Sequence, residues 1–109
     1  MKRIIALITL AAATMLSAAN PPADTKATPD QVKIDNFSFT PQTLSVHTGT
    51  KVTWINKDDV PHTVTSNDQE FKSRALDTDD QFSFTFKAPG TYRYYCSVHP
   101  HMTGKIIVK

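Results

Sequence analysis

The sequence predicts an all-β fold, a Greek-key β-sandwich, and three observations carry that prediction. From Gln31 onward no run of helical period is longer than two turns. Alternation with period two recurs instead, most cleanly at Phe82, Phe84 and Phe86 and then at Tyr92, Tyr94 and Cys96. Turn signals separate the alternating runs, at Thr40-Pro41, Thr48-Gly49, Val60-Pro61 and Pro89-Gly90. Successive side chains on a strand point to opposite faces, so each run reads as a short strand with one buried face. Several such strands divided by turns close into a sandwich.

Taken in chain order, residues 1–19 read as a secretory signal peptide. MKR is a positive n-region, IIALITLAAATML an apolar stretch, and SAA a small-residue cleavage signal that places the cut after Ala19. The apolar stretch runs from Ile4 to Leu16, short of the roughly 20 residues a spanning helix needs. No cysteine follows it to carry a lipid, so no membrane anchor is expected and the mature protein is read as periplasmic. Residues 20–30, NPPADTKATPD, hold three prolines and no large apolar residue and read as a flexible leader.

Residues 31–109 then form one small domain, too short for two. Within it Val32 and Ile34 mark a first strand, Leu44 and Val46 a second, Val52 and Trp54 a third. Val60-Pro61 opens another strand, on which His62 lies. Asn67 to Asp80 is a long irregular connection, with Phe71 and Leu76 as its large apolar residues and room for a helical turn. The phenylalanine and tyrosine strands follow, and Ile106 and Val108 end the fold.

Charge narrows the function. Loss of Lys2 and Arg3 with the signal leaves ten basic against ten acidic residues. No basic stripe with interleaved aromatics suggests nucleic acid, and no amphipathic basic helix suggests a membrane surface.

The single cysteine is the informative residue. An exported chain with one thiol has no intramolecular disulfide to form, so another partner for the sulfur is expected. Alternation puts Cys96 on the inward face at a strand end, and His99 and Met102 follow at intervals of three residues in YYCSVHPHM. His62 lies 34 residues upstream, after a turn. Two imidazoles, a thiolate and a weak axial thioether form the donor set of blue-copper electron-transfer sites. Soft sulfur suits Cu(I), imidazole suits both oxidation states, and a rigid β frame keeps the geometry nearly constant as the electron moves. Singly these residues have duller explanations: a buried cysteine, a core methionine, a turn histidine. Together, and in this order, they point to copper.

Three rival readings come from other classes. A cysteine nucleophile with a histidine base would have no use for Met102 and lacks a Gly-rich oxyanion loop near Cys96. Zinc hydrolysis needs an open fourth position, which Met102 would close. Copper carriage or storage uses the same ligands and is the alternative function. Among the remaining residues, His47 reads as surface, Trp54 as core, Asn56 as a turn residue with a hydrogen-bonding role near the site, and Asp77, Asp79 and Asp80 as a solvated loop.

The runs VTWINKDDVPHTV and APGTYRYYCSVHPHMTGKIIV resemble the cupredoxins, and the short spacing from Cys96 through His99 to Met102 resembles the amicyanin type within them. The resemblance covers Val32 to Lys109. It implies one copper ion held by His62 Nδ1, Cys96 Sγ and His99 Nδ1 with Met102 Sδ axial, and a monomeric one-electron carrier that is not an enzyme. It also implies redox partners, with an amine dehydrogenase as donor and a c-type cytochrome as acceptor. The chain departs from the family pattern at Thr63, where members carry an Asn that ties the two ligand loops together. The backbone donor to the cysteine sulfur does not depend on that side chain, whereas the tie itself passes to the Thr hydroxyl or is lost. His101, where amicyanins carry an apolar residue, is the second departure.

Overall fold

Gln31 begins the first strand of a computed structural model that describes residues 30–109. The expected signal peptide, and all of the expected leader except Asp30, lie outside the described residues. The strands are β1 (Gln31–Asp35), β2 (Ser38–Thr40), β3 (Thr43–Val46), β4 (Thr50–Asn56), β5 (Thr65–Ser66), β6 (Gln81–Phe86), β7 (Gly90–Tyr95) and β8 (Thr103–Val108). They form two four-stranded sheets, in the orders β2-β1-β4-β6 and β3-β8-β7-β5. Two pairings are parallel, β1 with β4 and β3 with β8; all others are antiparallel. Parallel neighbours cannot be joined by a tight hairpin, so the chain crosses from one sheet to the other, and this crossing makes a sandwich rather than two meanders.

Register explains the alternation. Trp54 pairs with Phe82 and Val52 with Phe84 across β4 and β6, so these side chains share one face. Tyr92 pairs with Ile106 across β7 and β8, and Leu44 with Ile106 across β3 and β8. Val32, Ile34, Val52, Trp54, Phe86, Tyr94, Cys96 and Ile106 are buried between the two sheets. Trp54 is the hub, with Phe71, Phe82 and Phe86 tilted around its ring and Tyr94 edge-on at 5.4 Å. Truncating a buried aromatic of this kind costs about 3–5 kcal/mol.

Two glycines are required by position. Gly49 has φ +89° in the turn before β4, a conformation other residues rarely adopt. Gly104 lies opposite Tyr94, and an added Cβ there would sit 2.5 Å from the Tyr94 hydroxyl. Burial pushes the Tyr94 phenol above its ordinary pKa, so it stays neutral. Among the described residues no helix is long and apolar enough to cross a membrane.

Two expectations change. His62 is not on a regular strand: it makes an isolated antiparallel bridge to Leu76, with N–H to carbonyl distances of 3.1 and 2.7 Å, and β5 begins only at Thr65. Pro61 has no N–H for a ladder, and the Val64 N–H is taken by the Ser73 hydroxyl at 2.9 Å. The connection from Asn67 to Asp80 contains no helical turn; it runs back along the preceding segment through bridges at Lys72 and Leu76, while Phe71 and Leu76 plug the core. The chain also has a short strand that the apolar alternation passes over, β2, whose single inward residue is Phe39.

Candidate metal centre

The spacing of the ligand-type residues is the spacing of a β-turn used twice. Cys96 carbonyl accepts the His99 N–H at 3.1 Å and His99 carbonyl accepts the Met102 N–H at 2.9 Å. Each is an i to i+3 bond, so the two turns share His99. Pro100 stands at the second position of the second turn, where its fixed φ is favoured. The Cys96 N–H donates back to the Met102 carbonyl at 3.0 Å, which closes the loop between β7 and β8.

His62 comes to this loop from the segment that crosses from β4 in one sheet to β5 in the other. Cys96 Sγ lies 3.7 Å from His62 Nδ1 and 3.7 Å from His99 Nδ1. One ligand atom from each of the three residues falls within 4.8 Å of the others. Such edges are what two donors make when each sits about 2.0–2.3 Å from a shared ion. His62 and Cys96 are fully buried, Met102 nearly so, and His99 is half-buried. The backbone N–H of Thr63 donates to Cys96 Sγ at 3.3 Å. A soft thiolate with two imidazoles, and a methionine closing the same loop, fits copper by donor chemistry.

Thr63 does carry the tie between the two segments. Its hydroxyl oxygen accepts the Ser97 N–H at 2.7 Å and lies 2.8 Å from Ser97 Oγ and 3.2 Å from Thr65 Oγ1. Asn56, fully buried at the end of β4, donates through Nδ2 to the carbonyls of Val60 and Leu76 at 2.9 and 2.8 Å, and its Oδ1 accepts the Asp58 N–H at 2.9 Å. It thereby holds the turn that carries His62. Trp54 is core and His47 is exposed. Asp79 and Asp80 are engaged with Lys57 and Arg74.

Two residues next to the site carry no signal in the strand pattern. Phe37, 48% exposed, stands edge-on to the rings of His62 and His99 at 5.4 and 4.9 Å. Asp58 Oδ2 lies 2.9 Å from His62 Nε2. Asp58 precedes His62 by four residues, inside a charged run that reads as turn, and Phe37 falls between the first two strands. Beside the site lies an apolar recess lined by Phe37, Val98, His99, Pro100, His101 and Met102.

Comparisons with known proteins agree with this geometry. The cupredoxin-like domain family matches residues 5–108. Amicyanin-alpha of Methylorubrum extorquens is 33% identical over 84 residues, which cover 72% of this chain and 71% of that protein. Among solved structures, a purple cupredoxin from Nitrosopumilus maritimus is 38% identical with a TM-score of 0.71, over 72% of this chain and 98% of that one. A Cu(I) form of an amicyanin variant is 32% identical with a TM-score of 0.69, over 72% and 80% of the two chains. Sequence, sandwich and ligand loop all lead to one family, and the chain is a cupredoxin.

Proposed function

We propose that this protein is a periplasmic one-electron carrier of the amicyanin type, in which His62, Cys96 and His99 hold a single copper ion and Met102 is its weak axial ligand. The observation that carries the reading is Cys96 Sγ, set 3.7 Å from each imidazole Nδ1 while accepting the Thr63 N–H. Bound there, copper would supply a one-electron couple between Cu(I) and Cu(II). The protein's part is to hold the donors still. Donors that do not move between oxidation states keep reorganisation small, and the carrier needs no catalytic group of its own.

The recess around His99 supports docking of redox partners at this end. Phe37 and Val98 are the exposed large hydrophobic residues among those described, at 48% and 54%, and both border His99 in the recess. A small apolar patch suits a brief encounter, which needs little buried area. An amine dehydrogenase as donor and a c-type cytochrome as acceptor suit an amicyanin-like carrier. Export fits a signal peptide at residues 1–19, a leader at 20–30 and a domain at 31–109. The mature domain acts as a monomer.

The test is optical. The copper-loaded, oxidised protein is expected to absorb strongly in the visible through thiolate-to-metal charge transfer, and Cys96→Ser is expected to abolish that band. The hue does not decide the matter, since one relative is described as purple. A Ser variant as intensely coloured as the parent overturns the assignment. Copper that leaves the protein with each exchange, instead of cycling in place, would replace electron transfer by copper carriage.

A further inference from the structure

The two histidines of the centre are held differently. His99 rides on the turn pair, whereas His62 is tethered from behind, on the ring edge away from Cys96. Asp58 Oδ2 lies 2.9 Å from His62 Nε2 and also accepts the Phe37 backbone N–H at 3.0 Å. Asp58 Oδ1 accepts the Asp59 N–H at 3.0 Å. The residue is itself pinned: its N–H donates to Asn56 Oδ1 at 2.9 Å, and its carbonyl accepts the Thr78 hydroxyl at 2.7 Å. Its side chain is 12% exposed. These bonds pull the Asp58 carboxyl down to about 2, His62 contributing most and the Phe37 N–H next.

The Phe37 contact is conformationally costly. Asn36 and Phe37 have φ of +52° and +57°, the left-handed pair of a type I′ hairpin between β1 and β2. Asn adopts this region readily and a bulky residue does not. Held there, with its N–H on Asp58, Phe37 sets its ring against both imidazoles. One carboxylate oxygen therefore binds one histidine directly and anchors the aromatic that touches both.

We propose that Asp58 is a positioning residue for the copper centre: it fixes His62 as the Nε2–H tautomer, so that the Nδ1 lone pair faces Cys96 before metal enters, and it places a negative charge behind that ring. This deepens the proposed copper function and rests on it. A neutral imidazole has one donor and one acceptor nitrogen, and a carboxylate on the outer nitrogen makes the inner one a better ligand. The charge also favours the more positive oxidised ion. Removing it therefore raises the reduction potential.

Two measurements test this. In the metal-free wild-type protein at neutral pH, 15N NMR of the histidine rings is expected to show His62 as a single tautomer protonated on Nε2. A His62 ring protonated on Nδ1, or averaging between tautomers, overturns the proposal. This arm needs no copper, so it decides the role of Asp58 even if the centre proves to take another metal. The second uses copper-loaded Asp58→Asn, whose amide oxygen can still accept from the Phe37 N–H while the charge is gone. Substituting a residue that hydrogen-bonds a metal ligand from outside costs about tenfold or more in metal affinity. If that tenfold falls on Cu(II) relative to Cu(I), the potential rises by about 59 mV, the one-electron value of a decade. A potential shifted by less than a twofold change in that ratio overturns the electrostatic part of the proposal. Should the Asn variant fail to fold, the wild-type tautomer alone decides.

Discussion

At the residue scale, Thr63 does two separable things. Its N–H reaches Cys96 Sγ, and its hydroxyl oxygen accepts from the Ser97 backbone across the two ligand-bearing segments. Thr63→Val keeps shape and backbone but leaves the Ser97 N–H without this partner. The hydroxyl that is lost is on buried Thr63, and such a hydrogen bond contributes about 0.5–1.5 kcal/mol, so the metal-free variant should unfold at lower denaturant while the visible band of the copper form stays near that of the parent. An unchanged midpoint would mean that water replaces the hydroxyl without loss. Loss of the band would mean that the tie sets the sulfur's position as well. A tie between the two segments therefore needs no Asn at position 63; the short Thr hydroxyl reaches because Ser97 follows directly after Cys96.

At the element scale, the connection from Asn67 to Asp80 is a strut rather than a loose loop. Leu76 exchanges backbone bonds with His62, and its carbonyl also accepts from Asn56 Nδ2. The strut's end is fastened by Asp80, whose carboxylate accepts the Asp77 N–H at 3.0 Å and Arg74 Nη1 at 3.3 Å. The Asp77 N–H first, and Arg74 next, hold the Asp80 carboxyl below its ordinary value. A depressed carboxyl stabilises the fold fully above its unfolded pKa of about 4 and ceases to do so as pH falls through the lower folded value. Asp80→Asn should accordingly be less stable than wild type above about pH 4, with the gap closing on further acidification. Thermal melts of both proteins across that range check it, and a gap independent of pH would show that the amide side chain, not the missing charge, is responsible.

At the scale of the whole molecule, the sandwich buries three of the four expected ligands at one end and leaves His99 half-exposed there, between Val98 and Phe37. Electrons would enter and leave by that ring. Val98→Asp puts a charge in the patch without touching a ligand, so exchange with redox partners should slow by about tenfold or more while the visible spectrum stays unchanged. Stopped-flow mixing measures the rate. If the rate holds, the port lies elsewhere, and Tyr95, next to Cys96 on the outward face of β7, becomes the place to mutate.

How much of this was legible beforehand depends on the range of the interaction. Alternation along β4, β6, β7 and β8 is a local pattern, because the strand's two-residue period writes burial directly into the order of side chains. The ligand loop is local too: intervals of three residues from Cys96 to His99 to Met102 are the intervals of turn hydrogen bonds, with Pro100 where such a turn accepts it. The sequence by itself therefore determined the sandwich, the inward cysteine and the chemical character of the donor set. Register and approach were left to the tertiary structure. It brought His62 to within 3.7 Å of a sulfur 34 residues away, replaced its expected strand by a bridge to Leu76, and turned an acidic residue and a hairpin phenylalanine toward the imidazoles. None of these has a period. Even Asp58, only four residues from His62, is oriented by bonds from distant segments, the Phe37 N–H and the Thr78 hydroxyl, as Thr63 is tied to Ser97 across 34 positions.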